Sequence, residues 1–240
     1  MSITRKRTII EHTYSINNKQ LTRVTSKRDL GVIFQSNFKF NEHINCIISG
    51  ANRTLGLIIR HSKYFNDFDT ITTLYTALVR SKLEYAAIIW TPKQDFYIKT
   101  IEQVQARFVR VLFLKFNGFY PAYPTAISYT TLLEALPMGS LQNRRIFYQL
   151  SFLHDLINNH IICSGLIDKI KIKVPKLHQR QIHRACLEYF DIPSGRSPVG
   201  LDSPLVATLI TYNMYSSLDL ALSRDDFRNK CREKLFLNTA

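Results

Sequence analysis

Up to about residue 34 the apolar positions fall in short runs broken by turn formers; from Asn41 onward they recur every three or four residues. The first pattern predicts strands, the second predicts helices with one buried face. Thr8 to Ser15 and Gln20 to Val24 flank Asn17-Asn18, a pair that tolerates positive φ, so a two-residue hairpin is expected there. Asp29-Leu30-Gly31-Val32-Ile33-Phe34 reads as a third short strand. Asn41 is expected as the N-cap of a first helix whose apolar stripe is Ile44, Ile47, Ile48, Ala51, Leu55, Ile58 and Ile59. Arg53 and Arg60 fall on the other side of that helix, with Gly56 between them.

A second helix is expected from Asp67 to Trp90, burying Ile71, Leu74, Tyr75, Leu78 and Val79 and stopped by Thr91-Pro92, because a residue before proline is pushed out of the helical region. A third runs from Asp95 to Phe116 on Ile98, Ile101, Val104, Phe108, Val109, Leu112, Phe113 and Phe116, and closes on Asn117-Gly118. Residues 117–128 read as an ordered loop, and Thr131 to Leu136 as a short helix ended by Pro137. Ser140 caps a helix to Asn158 that buries Ile146, Phe147, Leu150, Leu153 and Ile157. Arg144 and Arg145 sit in its first turn against the helix dipole, which suits either a partner or a carboxylate elsewhere in the fold. From Lys169 the period becomes two, with Lys169, Lys171 and Lys173 alternating with Ile170, Ile172 and Val174. Residues 191–204 read as a loop, and a last helix starts near Ser223 with Asp226 in a capping-box position. The expected fold is mainly α, a helical-bundle-like body with a small N-terminal β-hairpin or sheet.

Charge changes the picture. Lys plus Arg number 32 against 18 Asp plus Glu, a net charge of +14. A polyanion partner is the natural reading, because cations that neutralise phosphates release condensed counterions. A solubilising surface and a basic membrane-facing patch are the alternatives. The most apolar window, Ile71 to Trp90, carries Arg80, Lys82 and Glu84 in its interior, so a buried helix is expected and no membrane span. Cys46, Cys163, Cys186 and Cys231 are scattered, as in reduced cysteine of a nuclear or cytoplasmic, intracellular protein. Met1-Ser2-Ile3-Thr4-Arg5-Lys6-Arg7 has no apolar stretch behind it and does not read as a signal peptide.

Candidate chemistry is thin. Asp225-Asp226 is the one adjacent acidic pair; two-metal polymerases use aspartates, yet this pair follows Arg224 and sits at a helix start, so capping is the better reading. His178, His183 and Cys186 lack a fourth ligand at a known spacing, and no metal or cofactor is expected. Nucleophile-elbow, phosphate-loop, zinc-protease and dinucleotide fingerprints do not occur. Of the aromatics, Tyr64, Tyr97 and Tyr120 are the ones not accounted for by helix faces and are open to base stacking.

Asp29-Leu30-Gly31-Val32-Ile33-Phe34, Phe40-Asn41-Glu42-His43-Ile44 and Ala51-Asn52-Arg53 with Leu55-Gly56 resemble one family closely. The match extends through Leu74-Tyr75, Leu78-Val79-Arg80-Ser81, Leu83-Glu84-Tyr85-Ala86, Ile89-Trp90 and Pro92, then Ile101-Glu102, Val104-Gln105 and Phe108, and more faintly Ser203-Pro204-Leu205. The chain resembles the region downstream of the catalytic core in reverse transcriptases of jockey-like non-LTR retrotransposons, most strongly over residues 29–116 and less after 160.

That resemblance implies a palm-edge remnant over residues 1–38, a thumb-like helical region over 39–116 and a helical connector over 117–240. It implies a primer-grip-like turn at Leu30-Gly31 and helices lying along a template–primer duplex. The family's fingers, first metal-binding aspartate and aromatic-x-Asp-Asp turn would precede Met1, so this chain alone is not expected to be an enzyme. It would be a truncated element copy, a mis-split gene model or a retained remnant. The expected function is non-specific binding of RNA or RNA–DNA hybrid through Leu30, Gly31, Arg53, Arg60, Lys63, Lys169, Lys171, Lys173, Lys176, Arg180 and Arg184. The alternative is a helical interaction module, or a non-functional remnant, that docks on a separate palm domain and binds no nucleic acid alone; an exposed apolar face on residues 1–34 would mark it.

Overall fold

The computed structural model describes residues 1, 12–64, 67–121, 127–136, 138–173, 188–192 and 203–237. The fold is mainly helical, with two small antiparallel hairpins near the N-terminus. Contacts divide the chain into two compact units, Met1–Ala86 with Pro92–Leu112, and Ala87–Thr91 with Phe113–Ala240.

In the first unit, strands β1 (Ser15–Ile16) and β2 (Lys19–Gln20) pair across Asn17-Asn18. Both asparagines take positive φ, 50° and 61°, as a two-residue hairpin twist requires. The arms are shorter than expected: Tyr14 and Leu21 extend them by one hydrogen bond, and Thr8 lies outside the described residues. Residues 29–34 are not one strand. Asp29 ends β3 (Ser26–Asp29), Leu30-Gly31 turns the chain at φ 44° and 86°, and β4 (Val32–Gln35) returns against β3. Glycine at the second turn position meets the positive φ without cost.

Helix α1 (Asn41–His61) buries Ile44, Ile48, Ala51, Leu55 and Ile58, together with His43, which the apolar pattern did not mark. Phe40, not Asn41, is the cap residue, and no side chain caps the first turn from that position. The side chain of Gln35 instead accepts from the Glu42 amide, tying the helix start to β4. His43 Nδ1 accepts from the Ile33 amide at 3.3 Å, and burial, helped by the nearby Arg28 charge, lowers its pKa.

The expected continuous helix to Trp90 is interrupted twice. Asp67 caps α2 (Phe68–Tyr75) by accepting from the Thr70 amide, and this hydrogen bonding holds its carboxyl below the usual range. A π-helical stretch, Thr76–Arg80, then leads into α3 (Ser81–Glu84). Tyr75, Val79 and Leu83 are fully buried, while Leu78, expected inside, is 43% exposed. The wider π turn rotates the buried face onto this four-residue spacing. The helix then breaks at Tyr85-Ala86, with Ala86 at φ 52°. The buried Tyr75 ring stacks on Phe108 of α5 (Asp95–Asn117), centroids 3.9 Å apart, and its hydroxyl donates to the buried Gln105 side chain. Gly118, at φ 76°, closes α5 as its sequence predicted.

The second unit contains α4 (Ala87–Trp90), α6 (Tyr129–Glu134), α7 (Leu141–Ile157), α8 (Ser164–Ile167), α9 (Pro204–Met214) and α10 (Arg224–Arg232). Ser128, Ser140 and Ser223 each cap their helix with a side-chain acceptor. Helix α9 begins at Pro204 inside a stretch read as loop, with proline at a position where its missing N–H costs nothing. The core joins Leu150, Leu153 and Leu156 of α7 to Phe190, Leu209, Tyr212, Leu218, Phe227 and Cys231. Burial pushes the Cys231 thiol and the Tyr212 phenol each up to about 12, so both stay neutral in the core. No helix of the described residues is long and apolar enough to cross a membrane.

Candidate nucleic-acid interface

The core of the first unit fixes which face of α1 looks outward. Ala51 and Leu55 are fully buried, and successive residues advance by about 100°, so Arg53 lies opposite them. It is exposed, as are Ser49, Leu57 and Arg60 on the same side. Residues 43–66 contain no Asp or Glu. Arg53 and Arg60 recur after two turns, about 10 Å along the axis. Lys63 follows in a 3₁₀ turn, Ser62–Tyr64, and is also exposed. None of Arg53, Arg60 and Lys63 makes a hydrogen bond or ion pair with another described residue.

Two further cations border this face, and no local pattern marks them. Lys82 of α3 donates from Nζ to Thr54 Oγ1 at 2.6 Å. Arg107 of α5 donates from Nη1 to Asn52 Oδ1 at 3.2 Å. Asn52 and Thr54 flank Arg53 in sequence and point to opposite sides of it around the helix. Lys82 stands in the sequence only as a charge inside an apolar window, and nothing in the pattern singles out Arg107. Their meeting with α1 depends on the tertiary fold.

The Leu30-Gly31 turn is built against Tyr85. The Tyr85 hydroxyl donates to the Leu30 carbonyl at 2.9 Å, and a Cβ added at Gly31 would meet the Tyr85 ring at 3.2 Å. The break at Ala86 thus follows a tyrosine engaged under a hairpin tip. Leu30 itself is 84% exposed in a left-handed conformation, an uncommon arrangement for a leucine.

The Lys169 stretch is less uniform than its alternating pattern implied. Lys169 and Lys171 are exposed, and their side chains make no hydrogen bond or ion pair with another described residue. Lys173 is ion-paired to Glu188, which holds its ammonium pKa up. A short bridge pairs Ile172 with Phe190, and the amides of Lys173 and Asp191 bond to the Tyr189 and Lys171 carbonyls. Ile170 is half-buried, but Ile172 is 63% exposed, so the apolar edge of this segment is not a buried ribbon face. Val174, Lys176, Arg180 and Arg184, and the histidines and cysteine at His178, His183 and Cys186, lie outside the described residues.

Other candidates resolve into structure. Asp225 and Asp226 are exposed at the start of α10, where Ser223 Oγ and the Asp226 carboxylate bond to each other as a capping pair. Arg145 is buried, and Arg144 donates to the Tyr148 hydroxyl and lies over its ring. Tyr64 is 83% exposed and Tyr120 is half exposed, whereas Tyr97 is half-buried beside Phe96. Among the described residues, no group of His, Cys, Asp and Glu is arranged to hold a metal ion.

Comparison with protein-family models, with curated proteins and with solved structures returns no match.

Proposed function

We propose that this chain binds nucleic acid non-specifically as a non-catalytic piece related to the palm edge, thumb and connector of a non-LTR retrotransposon reverse transcriptase. The observation that carries the reading is the outward face of α1. It presents Arg53 and Arg60 with Lys63 just beyond, none of them ion-paired among the described residues, along a stretch of chain that contains no carboxylate. Cations left without carboxylate partners are the electrostatic footprint of phosphate binding. The Leu30-Gly31 turn, propped by Tyr85, supports the resemblance to a primer grip. The sequence holds no recognisable base-reading motif, so recognition through the phosphate backbone is the expected mode. Binding of purified chain to labelled RNA–DNA hybrids of unrelated sequence tests this. A Kd of about 10⁻⁴ to 10⁻⁶ M at physiological salt, equal across sequences, is the expected outcome; a preference for one sequence of a hundredfold or more would overturn it.

A second reading has an observation in its favour. Tyr14, Ile16, Leu21, Val24 and Leu30 are each more than 40% exposed on the N-terminal hairpins, as a surface that packs against a separate palm domain would be. On that reading the chain alone binds no hybrid at any salt concentration, so the same experiment separates the two.

A further inference from the structure

We propose that Lys82, Arg53 and Arg107 form one phosphate-binding row that crosses the outer surface of the first unit from α3 over α1 to α5, and that a nucleic-acid backbone runs along it. The proposal rests on the nucleic-acid reading above and specifies where the backbone contacts lie.

Three observations converge. First, the two outer cations are held by neutral oxygens. Thr54 Oγ1 receives Lys82 and Asn52 Oδ1 receives Arg107. A carboxylate in either place would cancel the charge; a hydroxyl or amide oxygen orients it and leaves it whole. An ammonium has three N–H donors and a guanidinium five, so each retains donors for phosphate oxygens after this one bond. Second, none of the three cations forms an ion pair with another described residue. The acidic neighbour on α3, Glu84, is turned to Arg80 instead. Third, Asn52, Arg53 and Thr54 are consecutive, so their side chains fan over about 200° of the helix surface. Arg53 stands at the middle, opposite the buried Ala51 and Leu55, with Arg107 on one flank and Lys82 on the other.

The row is assembled by tertiary structure from three helices, so its spacing is set by the packed core and not by flexible side chains alone. Each outer cation is tied to a residue adjacent in sequence to Arg53, which brings the three onto one surface for a strand laid across them. A polyphosphate backbone is favoured over a single anion, because the three cations are spread across the surface and do not converge on one point.

The test compares the full chain with R53Q/K82Q/R107Q for binding to a fluorescent RNA–DNA hybrid over a series of salt concentrations. Circular dichroism melting checks that each protein folds. Losing three phosphate contacts lowers the steepness of the log K against log salt plot by about three units. Should the triple variant not fold, R53Q replaces it, since the exposed Arg53 makes no hydrogen bond or ion pair with a described residue, and the expected drop is about one unit. A charge-preserving K82R/R107K variant is expected to keep the wild-type slope. If wild type binds the hybrid with a salt-dependent affinity and the folded neutral variant does so with the same slope, the row is wrong while the functional reading stands. If wild type binds no hybrid at low salt, both fall. If the neutral variant loses binding to phosphatidylserine vesicles but not to the hybrid, the surface serves a membrane and the proposal is overturned.

Discussion

At Asp155 one carboxylate faces two guanidinium groups. Its side chain is buried, Arg224 reaches it with two hydrogen bonds of 2.9 Å, and Arg228 adds a third at 3.0 Å. Beside it, His154 bonds to the Leu222 carbonyl and stacks on Phe227. Burial alone would raise the Asp155 pKa, but the Arg224 hydrogen bonds and the charges of both arginines outweigh it and hold it low. A carboxylate depressed in the folded state stabilises the protein above its unfolded pKa, about 4, and loses that contribution as pH falls through the folded value. Asp155→Asn should therefore destabilise the chain by roughly 1–3 kcal/mol at neutral pH, a figure discounted for the partial exposure of the arginines. Wild type and variant should converge as pH drops below about 4. Urea melts across that range check it; a gap that persists at low pH would show that the loss is not electrostatic. The sequence had separated this cluster's members. Arg224 and Asp155 are 69 positions apart, and Arg224 drew notice only as a neighbour of Asp225.

At the scale of elements, what could be read in advance depended on length. Helices α1, α5 and α7 each run four turns or more, long enough for an apolar stripe to repeat and for caps such as Ser140 and Gly118 to mark their ends. Asn17-Asn18 announced its turn for a local reason, tolerance of positive φ. The misread positions are those where a distant contact overrides local preference. Alanine is the best helix former, yet Ala86 is left-handed, next to the tyrosine that bonds the Leu30 carbonyl. By periodicity Leu30-Gly31 looked like the middle of an apolar run; it is a turn, as only the family resemblance implied. The Lys169 segment was similarly underdetermined, because residues 169–187 hold no Asp or Glu, yet Glu188 just beyond them reaches Lys173. Of that segment's lysines, Lys169 and Lys171 are the open ones. Changing Lys169, Lys171 and Lys173 together to Gln should lower the salt slope of hybrid binding by about two units if this surface contacts phosphate, not three, because Lys173 is already neutralised. Titration of the variant at several salt concentrations measures it, and an unchanged slope would mean that these lysines only solvate the segment.

For the whole molecule, the excess of 32 basic over 18 acidic side chains was plain from the outset, but not where that excess is free to act. Some of it is spent internally: Arg224 and Arg228 on Asp155, Arg80 on Glu84, Lys173 on Glu188. Part of what remains on the first unit lies around the outward face of α1, where Arg53, Arg60 and Lys63 stand without described partners and Lys82 and Arg107 are held by neutral oxygens. The central claim is that this surface binds nucleic acid through counterion release. Its most direct test is the affinity of the unmodified chain for an RNA–DNA hybrid as salt rises from about 50 to about 200 mM. The account predicts a straight line of log K against log salt with a negative slope of about three or steeper, one unit for each phosphate neutralised. An affinity that does not change with salt over that range would contradict it.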